Sequence, residues 1–281
     1  MPLFNKVSIV GTGLIGGSIA LDLKKKGLCK TLAGVSLHQK SLEFAKKIGA
    51  IDTGSQSLCV IKNSDLVILA APVSTIKEKA RRISEIINND CIVFDVASTK
   101  EEIVSELDPL FPRFVGAHPI AGSEKKGIKN AKQGLFKNTV CILTPSNKTD
   151  SKALNKVKRL WFELGAKVVL IKPQSHDRIL SFVSHLPHLT AFALMNSIPG
   201  DCLNLVPNSL KDSTRVAASD SVLWSDIFFS NKKNVLTAVK VLEEKIMDIK
   251  RSLMRNDRKK LIKILDHSKA RRELLNASNS T

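Results

Sequence analysis

Cysteine is scarce and scattered. The five residues Cys29, Cys59, Cys91, Cys141 and Cys202 form no C-x-x-C pair. That spacing excludes zinc ribbons and a disulfide framework, and it suits a reducing cytoplasm. No metal site is expected. No small-residue cleavage site follows an apolar core near the start, so no signal peptide is read there. Internal repeats and low-complexity segments are also lacking. Acidic residues are in deficit, 26 against 44 Lys+Arg, giving a net charge of +18. Such a field could attract anions such as nucleotides, dicarboxylates or nucleic acid, but the lysines are spread along the whole chain, so solvated helix faces are the preferred reading. The densest basic stretch, Lys250 to Arg272, lacks the interleaved aromatics of a single-strand binder, so no nucleic-acid partner is expected. Residues 179–200, ILSFVSHLPHLTAFALMNSIPG, carry no formal charge for 22 positions, the length of a membrane span. Their two histidines, two prolines, three serines, threonine and asparagine are costly in lipid. A buried soluble helix is read instead, and no membrane association.

What is present is a globular composition, 43% hydrophobic and 25% charged over 281 residues. Short Val/Ile-rich runs alternate with amphipathic stretches through the first 170 residues. Strands are read at 7–10, 32–36, 65–70, 91–96, 114–117, 140–143 and 167–171. Consecutive apolar positions suit strands covered on both faces, and the alternation indicates a doubly wound parallel sheet. After Pro173 strand signals stop. Val235, Val239, Leu242, Ile246, Ile249 and Leu253 form a heptad stripe, either an intrachain core or a helix packed across a subunit interface; the dimer is the expectation. The chain is therefore read as α/β, with an N-terminal Rossmann-type parallel-sheet domain over 1–172 and an all-α dimerisation domain over 173–281.

Gly11-Thr12-Gly13-Leu14-Ile15-Gly16 is a G-x-G-x-x-G turn between the first strand and a helix over 15–26. In that context it is a dinucleotide fingerprint, with the pyrophosphate at the helix N-terminus. Ala71 and Pro72, at the end of the 65–70 strand, are expected to line the same site. The second strand ends in Ser36, where an NAD site usually carries Asp or Glu. Serine does not repel a 2′-phosphate, and His38 and Lys40 could add positive charge. NADP is the expected cofactor, with NAD compatible.

Asp95-Val96-Ala97-Ser98-Thr99-Lys100 and Gly116-Ala117-His118-Pro119 close two further strands. Ligands of open α/β sheets bind beyond such ends, so Ser98 and His118 can face the nicotinamide. Ser98 also reads as an N-cap with Glu101 completing a capping box. His118 could be a purely structural histidine, but its strand end and glycine–proline setting point to chemistry.

Five blocks, GTGLIGGSIA (11–20), DVASTK (95–100), AHPIAGSEKKG (117–127), SHLPHLTAFAL (184–194) and KDSTR (211–215), stand in the order found in the prephenate/arogenate dehydrogenases of tyrosine biosynthesis, which the chain resembles over nearly its whole length. The resemblance implies a homodimeric oxidoreductase acting on a small cyclohexadiene. Hydride leaves C4 for the nicotinamide, and the C1 carboxylate departs as carbon dioxide. It implies His118 as the catalytic histidine at the C4 hydroxyl, with Ser98 beside it. It places His185, Arg215, Ser123, Glu124 and Trp224 around the substrate, Arg215 pairing with a carboxylate. The chain departs from the family where a glycine run often precedes the last block. Val206-Pro207-Asn208-Ser209-Leu210 stands there, so that loop is expected to take another path. The alternative is a 3-hydroxyacid dehydrogenase of the same two-part architecture, although no lysine–asparagine block of that kind is evident.

Overall fold

The apolar runs become strands whose successive residues point to opposite faces. In the computed structural model, which describes residues 1–122 and 125–277, β1 (Phe4–Val10) leads through the glycine turn to α1 (Leu14–Lys25), then β2 (Cys29–Val35), α2 (Gln39–Lys47) and β3 (Thr53–Ser55). Next come β4 (Leu66–Leu69), α3 (Val73–Ser84), β5 (Ile92–Asp95), α4 (Glu101–Leu107), β6 (Phe114–Pro119), β7 (Val140–Thr144), α5 (Ser151–Glu163) and β8 (Lys167–Leu170). The strands form one sheet in the order β3-β2-β1-β4-β5-β6-β7-β8. Neighbours are parallel except β6 and β7, which run antiparallel, so the sheet is mixed rather than wholly parallel.

Two apolar layers cover the sheet. Val7, Ile9, Leu66, Ile68 and Phe94 face one layer with α1 and α5, where Trp161 packs edge-on to Phe136 at 5.2 Å. Val10, Val67, Leu69 and Val93 face the other, against Ile76, Ala80 and Ile83 of α3 and Ile103 of α4. The order reverses between β2-β1 and β4-β5, leaving a crevice at their carboxyl ends.

Every later described element is helical: α6 (Pro173–Leu180), a π-turn over Ser181–His185, α7 (Leu186–Ser197), α8 (Asn208–Thr214), α9 (Ser221–Ser230), α10 (Lys232–Met254) and α11 (Arg258–Ala277). The segment read as one helix over 179–200 is thus α6 and α7 joined by a π-turn. Pro187, in the first turn of α7, has no N–H to continue the ladder there. No described helix is long and apolar enough to cross a membrane. Where a glycine run was missing, Pro207 caps α8 and residues 208–210 are helical, so no left-handed residue is needed. Residues 1–232 and 233–281 form two compact units.

Candidate active site

The glycine turn is built for a close ligand. Gly11 has φ of +106°, and a Cβ there would sit 2.3 Å from the Ala70 carbonyl oxygen. At Gly16 it would sit 2.1 Å from the Gly11 oxygen, so these two glycines let turn, helix and strand close together. A Cβ on Gly13 would meet nothing within 4 Å, because Gly13 faces open space. Gly13 is also the N-cap of α1 and brings no side-chain cap, leaving the helix N–H groups available. Thr12 Oγ1 is buried with no hydrogen-bond partner. These features fit a dinucleotide diphosphate.

Three cavities follow one another from that turn. The first, about 430 Å³, is lined by Gly11, Thr12, Gly13, Ser36, His38, Ala71, Pro72, Lys79 and Arg82 among others. No carboxylate lines it among the described residues. Lys40, in the first turn of α2, is exposed and is not among its lining residues; the lysine and arginine come from α3 instead. The Ser36 hydroxyl accepts from the His38 N–H at 3.3 Å. The second cavity, also about 430 Å³, holds Gly13, Leu14, Ile15, Ala71, Pro72, Ser98 and Trp224. Lys126 pairs with Asp220 and the Ser74 hydroxyl donates to Asp226 at 2.7 Å, tying this region to the N-cap and the middle of α9. The third, about 830 Å³, is lined by Ser98, His118, Lys132, His185, His188, Arg215 and Trp224. Ser98 and Trp224 belong to both the second and the third cavity.

Ser98 is not the cap of α4. Lys100 occupies the N-cap position, and Asp177 supplies the acceptors, from Lys100 N at 2.8 Å and Glu101 N at 2.9 Å. Released from capping, Ser98 lies half-buried at the junction of the two cavities. His118 closes β6, opposite Ile142. Its Nδ1 lies 2.9 Å from His176 Nε2, and His176 Nδ1 lies 2.7 Å from Asp177 Oδ1. Burial, with His176 and the Lys100 ammonium nearby, holds His118 well below the ordinary histidine range, so the ring is neutral near pH 7. Lys100 is itself fully buried, paired with Asp95 and donating to the Ala117 carbonyl at 2.8 Å. Burial draws its pKa down against the pull of Asp95.

The helical residues differ in their exposure to the cavity. His185 is 1% exposed, and burial pushes it down to about 4 against the raising effect of Asp177. Asn231 Nδ2 donates to the Asp177 carbonyl at 2.8 Å, which fixes the amide orientation, and to His185 Nδ1 at 3.1 Å. His185 is therefore an Nε2–H donor. His188, three positions on, stacks on Trp224 at 3.6 Å and gives its Nδ1–H to the Ser184 carbonyl at 2.9 Å. Its Nε2 is left as an acceptor. Arg215 is exposed at the start of a 3-10 turn and lines the third cavity. Ser123 and Glu124 lie outside the described residues. Sequence reading missed His176, Asp177, His188, Lys79 and Arg82. The only signals were a His-Asp pair opening a helix and a second histidine in SHLPH.

Two family models match the chain, the prephenate dehydrogenase nucleotide-binding domain over 19–170 and its dimerization domain over 172–267. The chain is 36% identical to prephenate dehydrogenase of Bacillus subtilis over 82% of its own length and 65% of that relative, so it spans just under two thirds of that protein. It is 31% identical to cyclohexadienyl dehydrogenase of Zymomonas mobilis, over 89% of this chain and 88% of the relative. Among solved structures, prephenate dehydrogenase from A. aeolicus, in complex with hydroxyphenyl propionate and NAD+, superposes with a TM-score of 0.92 at 37% identity, covering 96% of this chain and 98% of that one.

Proposed function

The chain belongs to the prephenate dehydrogenase family, and from that premise we propose that it oxidatively decarboxylates prephenate to 4-hydroxyphenylpyruvate, with arogenate, which would give tyrosine, as the alternative substrate. A 3-hydroxyacid dehydrogenase activity is not favoured by these matches. One observation carries the reading: Ser98 lies where the nicotinamide-side cavity meets the large cavity, and the large cavity also takes in His118 and Arg215.

The nicotinamide, when bound, supplies the acceptor for the C4 hydride. His118 presents a neutral imidazole to the C4 hydroxyl, takes its proton as the hydride leaves, and returns it to the phenolate oxygen formed when carbon dioxide departs. No net proton is released. Ser98 holds the hydroxyl on the nicotinamide side. Arg215, a planar fork, and Lys132 hold carboxylates. Aromatisation drives the step, so the protein mainly orients and polarises. Prephenate carries two carboxylates, whereas arogenate also carries an ammonium. Arg215 and Lys132, both on the lining of the large cavity, suit two carboxylates, which supports prephenate.

In the ribose cavity Ser36, Lys79 and Arg82, with no carboxylate among the described lining residues, support NADP ahead of NAD. We place the division of labour at Lys172, with 1–172 for the dinucleotide and 173–281 for substrate and dimerisation. Exposed apolar residues within the 233–281 unit, Leu236, Val241, Ile246 and Leu253 on α10 and Ile262 and Leu265 on α11, support a homodimer. Five free cysteines suit the cytoplasm.

The test is reduced-nicotinamide absorbance with each substrate and each cofactor, in wild type and His118→Asn. Prephenate should be oxidised faster than arogenate, with NADP preferred. His118→Asn should lower kcat by roughly 10²–10⁴ with KM nearly unchanged. An undiminished kcat removes His118 from the mechanism.

A further inference from the structure

We propose that His176 is a positioning residue that dictates which nitrogen of His118 carries the proton, and that the direction is set by Asp177. The inference rests on the reading of His118 as the proton acceptor.

The assignment follows from the chemistry of the partners. The ionised carboxylate of Asp177 can only accept. It is fixed in place as an acceptor by the N–H groups of Lys100 and Glu101, at 2.8 and 2.9 Å. His176 Nδ1, 2.7 Å from Oδ1, must therefore be the protonated nitrogen of that ring. Burial lowers the His176 pKa, though hydrogen bonding to Asp177 opposes it, so at neutral pH its Nε2 keeps a lone pair. That lone pair lies 2.9 Å from His118 Nδ1. His118 Nδ1 must then be the donor, and in the neutral ring Nε2 is bare. The bare nitrogen is the one not engaged by His176, and His118 lines the large cavity. With the opposite tautomer, Nδ1 and His176 Nε2 would set two lone pairs against each other, and Nε2 would offer a proton where it should take one.

The same chain prepares the ring for its charged form. When Nε2 gains a proton, His118 becomes a double donor, and its Nδ1–H already has an acceptor. The Asp177 carboxylate lies one imidazole beyond and offsets the new charge without touching it. His176 thus acts through His118 and meets neither substrate nor cofactor.

Selective ¹⁵N-histidine labelling of the full-length protein tests the wild type directly. At pH 7.5 the His118 ring should show a protonated Nδ1 and a bare Nε2. A wild-type ring protonated on Nε2 would overturn the proposal whatever the variants do. His176→Phe fills the space but accepts nothing. It should lower kcat by about 10- to 10³-fold at nearly unchanged KM and give His118 a mixed tautomer signal. His176→Gln can set a carbonyl oxygen near the lost Nε2. It should restore most of the kcat and the Nδ1–H signal. A His176→Phe enzyme of wild-type kcat and tautomer sinks the relay alone if His118→Asn is still impaired. If His118→Asn is also unimpaired, the acceptor reading has failed instead.

Discussion

Cofactor choice can be set by two side chains that line one cavity, Ser36 and Arg82. A 2′-phosphate carries about −1.5 to −2 charges near neutral pH. In Ser36→Asp a carboxylate would enter the cavity that Ser36, Lys79 and Arg82 line. At about 5 Å, with an effective dielectric between the protein-surface and bulk-water values, the repulsion is roughly 2–3 kcal/mol. That corresponds to a loss of roughly 30- to 150-fold in kcat/KM for NADP. NAD, which offers hydroxyls there, should gain a few-fold through hydrogen bonds to the carboxylate. Arg82 is exposed on α3, so the charge-assisted bond it can make to phosphate is at the weak end, about 1–2 kcal/mol. Arg82→Ala should therefore weaken NADP use by roughly 5- to 30-fold and leave NAD use nearly alone. The assay is initial-rate kcat/KM with both dinucleotides at saturating prephenate, for wild type and both variants. If neither substitution moves the NADP/NAD ratio, the cavity is not the 2′-phosphate site. If the wild type already prefers NAD by a wide margin, the serine has been misread.

Two other outcomes follow from the site. Arg215→Ala should raise KM for prephenate by about 10- to 100-fold with a much smaller change in kcat, since a guanidinium–carboxylate pair binds ground and transition states alike; an unaltered KM places Arg215 outside the substrate contacts. Acid should destabilise the fold in a defined window. His185 is held down to about 4, against about 6.5 when unfolded, so between those values only the unfolded chain binds the proton. Stability is complete above about pH 6.5, falls as the pH drops toward 4, and loses about 3 kcal/mol at most from this group, with His118 and His176 shifted the same way. Melting temperatures from pH 7.5 to 4.5 check it, and a flat profile contradicts the burial of these imidazoles.

The strands were legible because fully covered strands need consecutive apolar residues, as in Leu66-Val67-Ile68-Leu69. Thr53-Gly54-Ser55 was not, since a three-residue edge strand carries no apolar run. Nor does an apolar run encode strand direction, so the antiparallel β7 read like its parallel neighbours. The glycine turn was legible because backbone contacts at 2.1–2.3 Å from a would-be Cβ admit only glycine. At SHLPH the local pattern could not separate His185 from His188. The π-turn shifts the face that each position presents, and only the fold shows His188 on Trp224 and His185 on Asn231. Ser98 had the local signature of an N-cap, but the acceptor comes from Asp177, far along the chain, where no nearby residue records it.

That distant carboxylate explains why the site holds one polarity. Asp177 begins α4 with its oxygens, orients His176 with one of them, and through its carbonyl fixes the Asn231 amide that makes His185 a donor. Beneath it, Asp95 accepts from Ala97 N at 2.9 Å and Ala117 N at 3.3 Å, while its partner Lys100 donates to the Ala117 carbonyl. The residues immediately before Ser98 and His118 are thus pinned to one buried ion pair. Such a pair is weak evidence of stability, because its desolvation offsets most of its attraction. Its consequence is geometric: the loop carrying Ser98 and the strand end carrying His118 cannot shift independently without leaving a charge or an N–H unsatisfied in the interior. The proposed reaction, driven by aromatisation, would ask mainly for that fixed relation between Ser98, as the proposed hydroxyl holder, and His118, as the proposed proton acceptor. Asp95 and Lys100, both 0% exposed, are the charges that maintain it.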